Sequence, residues 1–459
     1  MMMDMDTSDE ALGPSDLPPT ADTAPPVSTS KKSAAVKAKT AKAKTAKAKT
    51  AKAKTPKAKA AKSKSAKAAN LKSAKAGKAG AAMETPVAPA AEAVTAQAPV
   101  VTEPEQPATH DKHGRFHEKR LFDPHGKKVI NLAFQGGGAH GAFTWGVVDR
   151  LLEEPAFEIE GITGTSAGAM NATVLAYGHA KGGNEGAREA LDNFWHGVAE
   201  AARYSPYKPS FLDKMKGNWS LDNSPGYQIM DMIGRMFSPY DLNPGGDNPL
   251  REILNKHVDF EYLRENSKVK VFLNAVNVRT GKLKQFTNDI MSVDAVLASG
   301  CLPFMFHAVE IDGEHYWDGG YAGNPALYPL IYYCTSPDIM LVQINPLERK
   351  ELPRSARQIL DRVNEISFNS SLMREMRAIK FVSDLIDQGN LSEEEYVKLH
   401  IHMISSGELQ EFGASSKLNA ELGFLLTLKR LGRETAEQWL NENWDKVNHE
   451  STCDLGTFM

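Results

Sequence analysis

The chain has 459 residues, of which 41% are hydrophobic, and its 54 basic and 57 acidic side chains leave a net charge of -3. This length excludes a short disulfide scaffold and is sufficient for one large α/β domain with a tail. No stretch reaches the roughly 18 uncharged apolar residues that a membrane-spanning helix needs, and the first ten residues are acidic, unlike the start of a secretory signal. The three cysteines match neither a metal-binding spacing nor an even set of disulfides. We therefore expect a cytoplasmic protein without a bound metal.

The N-terminal quarter of the chain is predicted to be a disordered tail. Residues 31–78 contain 18 Lys and no acidic residue, and the unit AKAKT repeats over residues 41–55. Such a repeat has no large apolar side chains to bury, so it cannot offset the entropy of ordering its backbone. A linker of Pro, Ala and Val follows, and we place the whole tail at residues 1–115. Its charge fits an anionic membrane, a granule surface or a nucleic acid; the alternative is a tail that only keeps the protein soluble.

A glycine-rich loop follows the first predicted strand. Residues 128–134 have the pattern of a buried strand, and a helical pattern begins shortly afterwards. Between them, Gly136, Gly137 and Gly138 allow a sharp turn that presents N–H groups to an anion at a helix N-terminus. With Gly141 the loop also satisfies G-x-G-x-x-G, and Glu158 follows at the spacing of a dinucleotide-binding acid. An NAD(P)-binding oxidoreductase is therefore one alternative.

A second motif contains a candidate nucleophile. Ser166 is the centre of G-x-S-x-G, with Gly164 and Gly168 on either side, between a short predicted strand at residues 157–163 and a helix of small residues. This arrangement holds the serine in a tight turn that exposes its hydroxyl. The helix N-terminus that follows favours developing negative charge on that oxygen.

A third motif contains a candidate base. Asp318 ends a strand-like run and precedes Gly319 and Gly320, which let the backbone approach a site closely. Alone, Asp-Gly would favour a hairpin turn over a catalytic base, but here it follows the other two motifs along the chain.

Taken together, the three motifs resemble those of the patatin-like phospholipases over residues 128–346. The resemblance implies a three-layer α/β/α fold with a mostly parallel central sheet, and cofactor-free hydrolysis of fatty acyl esters in lipids. We place this catalytic domain at residues 127–445, with a helical C-terminal part, and expect it at the periphery of a lipid surface. By matching, the catalytic dyad would be Ser166 and Asp318, and the oxyanion loop would be Gly136, Gly137 and Gly138. Two positions depart from the family pattern: Gln135 stands where Asp is frequent, and His140 where Arg or Lys is frequent.

Other interpretations stay open. A Ser-His-Asp triad would need one of the nearby or downstream histidines, which are His307, His315, His400, His402 and His449. Another interpretation is a catalytically inert protein that docks on a surface or a nucleic acid through its Lys tail. Residues 204–249 are rich in aromatic residues and Met, which fits either an apolar cover over an acyl chain or ordinary packing of short helices. Residues 359–382 predict an amphipathic helix that supports the core.

Overall fold

The computed structural model describes residues 126–349, 351–392 and 395–459. The predicted tail, residues 1–115, lies outside them, and its disorder and role stay predictions. The strands of the described part join in one sheet, as β1 (Lys128–Phe134), β2 (Phe157–Gly164), β3 (Lys270–Asn277), β4 (Leu283–Phe286), β5 (Val309–Ile311), β6 (Glu314–Asp318), β7 (Asp338–Val342) and β8 (His400–Ile404).

The helices begin mostly at Ser, Asn or Asp caps, whose side chains accept a hydrogen bond from the first turn. They are α1 (Gly141–Leu151), α2 (Ala167–Ala201), α3 (Phe211–Met215), α4 (Pro225–Gly234), α5 (Pro239–Leu242), α6 (Pro249–His257), α7 (Phe260–Asn266), α8 (Val293–Ser299), α9 (Tyr328–Tyr333), α10 (Ala356–Asp387) and α11 (Leu422–Asn443). Long α2 is kinked at Gly182 and Gly183. Across the described residues, no helix combines the length and apolar character needed to cross a membrane.

The central sheet is mostly parallel, with an antiparallel margin. Strands β3, β2, β1, β7 and β8 lie side by side and run in one direction. Strand β4 continues the sheet beyond β3 in antiparallel pairing, and β6, followed by β5, pairs antiparallel with the C-terminal part of β3. Because parallel strands are joined by crossovers, both faces of this part of the sheet are covered by helices.

Alternating side chains of the strands build two cores, one on each face of the sheet. On β1, Leu132 and Phe134 pack with residues of α1, α2 and α11, whereas Ala133 packs with residues of α9 and α10. Both cores contain side chains that are fully buried, each worth ~1.5–3 kcal/mol relative to exposure. This confirms the three-layer α/β/α architecture. The chain after α11 also belongs to this body, because Phe458 is buried and its carbonyl accepts from Arg377 Nε at 2.6 Å.

Helix α10 confirms the predicted amphipathic helix but not its predicted role over its full length. Leu372 and Met376, in its middle, are fully buried. Ile359, Val363 and Ile366 are 48%, 55% and 54% exposed, so these three side chains of its first half do not support the core. Helical periodicity could not distinguish a face turned to the core from a face turned to solvent.

Candidate active site

Ser166 lies in a strained turn between β2 and α2. Its φ of 56° and ψ of -122° are a conformation that residues with a side chain rarely adopt, at a cost of about 1–3 kcal/mol. The flanking glycines are required by close packing. A Cβ on Gly164 would lie 2.5 Å from the carbonyl oxygen of Gly168, and one on Gly168 would lie 2.2 Å from that of Phe134. The turn therefore has the geometry that the G-x-S-x-G spacing predicts.

The ends of β2 and β6 meet along one edge of β3. Strand β2 runs parallel to β3 and finishes with Gly164 opposite Leu273. Strand β6 runs in the opposite direction and finishes with Asp318 opposite Ala275, while β4 occupies the other edge of β3. The two strand ends thus point toward each other, and the residues that follow them share one site.

Asn274 lies on β3 between these two register positions, where the ends of β2 and β6 approach each other. It is fully buried, and its side-chain amide donates to the carbonyl oxygen of Gly164 at 3.2 Å and to Thr165 Oγ1 at 3.2 Å. Its own carbonyl oxygen accepts from the Ser299 hydroxyl at 2.7 Å. Ser299 Oγ in turn accepts from the Ser166 N–H at 3.0 Å. These hydrogen bonds hold the strained turn, and no sequence motif pointed to Asn274 or Ser299.

Asp318 is a buried carboxylate with one unpartnered oxygen. It is fully buried, and its Oδ1 accepts from the Gly320 N–H at 2.7 Å. Burial raises the pKa of Asp318 to about 7, against the opposing effects of the Gly320 N–H and the Ser166 hydroxyl. Among the described residues, no donor makes a well-aligned hydrogen bond to Oδ2. The Ser166 hydroxyl is close enough to the carboxylate to lower its pKa, but it makes no well-aligned hydrogen bond to it, as is common in sites without substrate.

The glycines after Asp318 fit their surroundings tightly. A Cβ on Gly319 would lie 2.0 Å from the carbonyl oxygen of Asn274, and one on Gly320 would lie 2.8 Å from the ring of Phe368 on α10. The motif is the end of β6 followed by a short 3₁₀ turn. It is not the tip of a hairpin, which was the alternative for this motif.

The glycine-rich loop between β1 and α1 lies against the Ser166 turn, since a Cβ on Gly136 would lie 2.6 Å from Ser166 Cβ. Its three N–H groups are not equivalent. That of Gly136, one of the three glycines predicted to form the oxyanion loop, donates to the buried Asn324 Oδ1 at 2.6 Å and is therefore already occupied. The N–H groups of Gly137 and Gly138 donate to no other residue in the described ranges, and Gly138 has a φ of +59° that suits glycine.

The hydrogen-bond partners of Gln135 explain why it departs from the family pattern, in which Asp is frequent at this position. Its Oε1 accepts from the N–H groups of Ile344 and Asn345 at 3.0 and 2.9 Å. Its Nε2 donates to the Asn324 carbonyl oxygen and to Asn369 Oδ1, each at 3.2 Å. A buried Asp could accept here but could not donate, so the amide satisfies this environment where a carboxylate would not.

His140 carries no positive charge at this site. It is buried, and its Nε2 shares a 2.7 Å hydrogen bond with Ser416 Oγ. Burial lowers the pKa of His140 to about 3, with further lowering by Lys417 and Arg349. Its ring packs edge-on against Phe424 of α11, so the side chain serves packing.

Lys417 brings a basic group to the same loop from a distant part of the chain. A Cβ on Gly138 would lie 2.3 Å from the Lys417 carbonyl oxygen. Lys417 Nζ donates to Asn345 Oδ1 at 2.7 Å, and Asn345 Nδ2 donates to the Gly136 carbonyl oxygen at 2.6 Å. Burial lowers the pKa of Lys417, while Glu365 favours its charged form. No sequence motif pointed to Lys417, which lies 277 positions after His140 and reaches the loop only through the fold.

The five histidines considered for a Ser-His-Asp triad have partners other than Ser166 and Asp318. His400 and His402, at the start of β8, pair with Asp338 at 3.4 and 2.9 Å, at the end of the parallel strands opposite to Ser166. His449 lines a cavity with His400. The remaining two rings also have other partners: His307 stacks on Tyr240, and His315 lies 3.8 Å from Glu310. The geometry therefore gives no support to a Ser-His-Asp triad.

The dinucleotide alternative is also unsupported. Glu158 is the second residue of β2 and forms an exposed pair with Lys127 at 3.6 Å. It thus lies at the opposite end of the strand from the glycine loop, whereas a ribose-binding acid must lie at the same end. No group of three or more His, Cys, Asp or Glu side chains within the described residues is arranged to hold a metal ion.

Comparisons with known proteins identify similar chains. Residues 132–331 match the model of the family described as patatin-like phospholipase. No curated protein matches the sequence. Among solved structures, VipD from Legionella pneumophila is 17% identical with a TM-score of 0.30, over 65% of this chain and 67% of that one. The type III effector ExoU is 17% identical with a TM-score of 0.22, over 65% and 53%. ExoU of Pseudomonas aeruginosa in its complex with SpcU is 12% identical with a TM-score of 0.25, over 68% and 53%. The chain thus spans about half the length of ExoU.

Proposed function

Because the chain carries a patatin-like phospholipase domain at residues 132–331, we propose that it is a serine hydrolase that cleaves fatty acyl esters of lipids through an acyl-enzyme. The observation that carries the proposal is the pairing of a strained serine with a buried carboxylate. Ser166 has a φ of 56°, and its hydroxyl neighbours Asp318, whose pKa burial raises to about 7.

In this proposal, Asp318 is the general base. An ordinary Asp, with a pKa of roughly 3.9, is too weak a base to accept a proton from a serine hydroxyl near neutral pH. The raised pKa of Asp318 brings it close to neutrality. As Ser166 Oγ attacks the acyl carbonyl carbon, its proton passes to Asp318 Oδ2, the oxygen that lacks an aligned donor within the described residues.

The negative charge that develops on the carbonyl oxygen is bound by N–H groups of the glycine loop. Gly137 and Gly138 are the donors in this proposal, because the Gly136 N–H is occupied by Asn324. A single donor of this kind is worth about 2.7–4 kcal/mol of the barrier. Gly136 acts indirectly, since its carbonyl belongs to the same peptide group as the Gly137 N–H and accepts from Asn345. A chain of hydrogen bonds from Lys417 through Asn345 therefore polarises the Gly137 donor.

Loss of the alcohol forms the acyl-enzyme, which water then cleaves. The tetrahedral intermediate collapses, and its C–O bond to the alcohol breaks while Asp318 returns the proton to the leaving oxygen. Water then attacks the acyl group on Ser166, with Asp318 accepting its proton. The fatty acid leaves, and Ser166 regains its hydroxyl hydrogen.

An activity-based probe tests the proposal directly. We expect a fluorophosphonate to label the wild-type protein and not the Ser166→Ala variant. Ser267→Ala is the matched control, because its hydroxyl donates only to the nearby Val269 carbonyl oxygen. Hydrolysis of a soluble short-chain acyl ester should follow the same pattern. Equal labelling and equal hydrolysis by wild type and Ser166→Ala would refute the proposal.

A further inference from the structure

Exposed apolar side chains are concentrated in two segments of the molecule. Of the 25 large hydrophobic side chains exposed in the described part of the chain, 15 lie within residues 204–242 and 352–366. We call these exposed side chains the apolar face. The most exposed examples include Phe211 at 75%, Met215 at 72% and Leu352 at 77%. Scattered exposed hydrophobic residues are ordinary, but such clustering indicates an interaction surface.

The two segments form one surface. Arg357, in the first turn of α10, donates to Asp231 of α4 at 2.9 Å and to Asp222 at 3.5 Å. Its guanidinium also lies over the ring of Tyr227, 4.8 Å from the centroid. These contacts join the start of α10 to α4, so the two segments lie side by side.

This surface borders the candidate active site on two sides. On one side, Phe368 of α10 packs against Tyr321, with ring centroids 5.0 Å apart, and against Gly320. On the other side, Tyr240 of α5 stacks on His307 at 4.1 Å. The His307 carbonyl oxygen accepts from Cys301 Sγ at 2.9 Å, and the Cys301 carbonyl oxygen accepts from the Asp318 N–H. Contacts on both sides thus connect this surface to the segments around Asp318.

The charge of one part of the surface identifies its partner. Residues 203–217 contain four basic side chains, Arg203, Lys208, Lys214 and Lys216, and only one acidic one. That acid, Asp213, is buried, and it accepts hydrogen bonds from Ser210, Asn218 and Asn223. Lys214 pairs with Glu421 at 2.5 Å. The segment still combines exposed apolar side chains with an excess of basic ones, as in segments that lie in a membrane interface. The 18 Lys of residues 31–78 add further positive charge in the same chain.

We propose that the apolar face docks on an anionic lipid surface, inserts its apolar side chains among the acyl chains, and delivers lipid esters to Ser166. The delivery step rests on the proposed function, whereas the docking step does not. Stable attachment takes two signals, apolar insertion and a polybasic patch, and this chain combines both. A protein partner or a second copy would cover the apolar part but would leave the basic side chains unexplained.

Vesicle sedimentation tests the docking step without hydrolysis. The full chain with Ser166→Ala should bind phosphatidylcholine vesicles that contain phosphatidylglycerol more tightly than vesicles of phosphatidylcholine alone. Adding Phe211→Ser and Met215→Ser should weaken binding by at least ~tenfold, because two large apolar side chains no longer insert. Phe381→Ser, 63% exposed in the second half of α10, should leave binding unchanged. Lys216→Glu should weaken binding to the anionic vesicles, and Lys268→Glu should not.

Hydrogen exchange supplies a readout that needs no variant. Amides of residues 211–217 and 352–366 should gain protection when anionic vesicles are added. Unchanged exchange in these residues would overturn the proposal. Equal vesicle binding by the Phe211→Ser/Met215→Ser protein and its parent would also overturn it. So would a stable dimer that buries the apolar face and binds no vesicles. Failure of the proposed function is distinguishable, because it would appear as missing hydrolysis of a soluble ester while vesicle binding persists.

Discussion

Asn345 Nδ2 donates a 2.6 Å hydrogen bond to the carbonyl oxygen of Gly136, and the same side chain accepts from Lys417 Nζ at 2.7 Å. A basic group from the C-terminal part of the chain is thereby connected to the loop that follows the first strand. Lys417 therefore contacts the same loop as His140, whose pKa is lowered by burial and which supplies no charge.

We expect Lys417→Met to lower kcat by up to about tenfold with little change in KM, because it removes the hydrogen bond to Asn345 and a typical hydrogen bond contributes ~0.5–1.5 kcal/mol. Lys417→Arg should restore much of the rate. Steady-state kinetics with a soluble ester provides the measurement, and Lys429→Met, which removes a pair with Asp192, is the control. Equal losses for the Met and Arg variants would show that Lys417 acts through packing alone.

The pH dependence of kcat/KM should report the ionisation of Asp318. Because burial raises the pKa of Asp318 to about 7 and the base must be ionised, kcat/KM should rise with pH and level off above that value. Below it, the rate should fall about tenfold per pH unit. The profile should be recorded with a substrate that does not ionise in this range. A flat profile across neutrality would contradict the role of Asp318 as base.

Ionisation of Asp318 should raise kcat/KM but lower the free energy of unfolding. Its folded pKa of about 7 lies above the unfolded value of roughly 3.9, so the unfolded chain binds fewer protons between these values. The free energy of unfolding therefore falls as pH rises from about 4 to 7. We expect Asp318→Asn to stabilise the protein at pH 8, by as much as ~4 kcal/mol.

Chemical denaturation measures this effect. The gain should disappear near pH 4, where wild-type Asp318 is protonated like the amide. Asn also retains the acceptor for the Gly320 N–H. A destabilised Asp318→Asn protein at pH 8 would mean that the carboxylate is held charged by contacts other than those described.

The strained backbone of Ser166 gives a further prediction. At its φ of 56° and ψ of -122°, a residue with a Cβ is disfavoured and glycine is not. Ser166→Gly should therefore be more stable than Ser166→Ala by about 1 kcal/mol, although both lack the hydroxyl. Thermal unfolding of the two inactive variants isolates the backbone effect. Equal stability would show that a Cβ at position 166 carries no net strain.

The sequence predicted the local parts of the site. Buried strand patterns followed by glycines located the loop at Gly136–Gly138, the turn at Ser166 and the end of the strand at Asp318, because each depends on backbone conformations encoded within a few residues. The parallel sheet and its helical layers were expected from the family resemblance that these motifs carry.

The sequence could not predict which polar groups surround these motifs. Asn274, Ser299, Asn324, Asn345 and Lys417 come from separate segments, and each has its role only because of its hydrogen-bond partners. The occupation of the Gly136 N–H by Asn324, which removes one predicted donor, is visible only once these segments are packed together.

What the sequence determined by itself was therefore the set of turns that can expose a hydroxyl, a carboxylate and free N–H groups. The tertiary structure decided that β2 and β6 approach from opposite directions along β3, which brings Ser166 beside Asp318, and that burial raises the carboxylate pKa. Turn conformation is a short-range property of the backbone, whereas proximity and desolvation depend on contacts between residues more than a hundred positions apart.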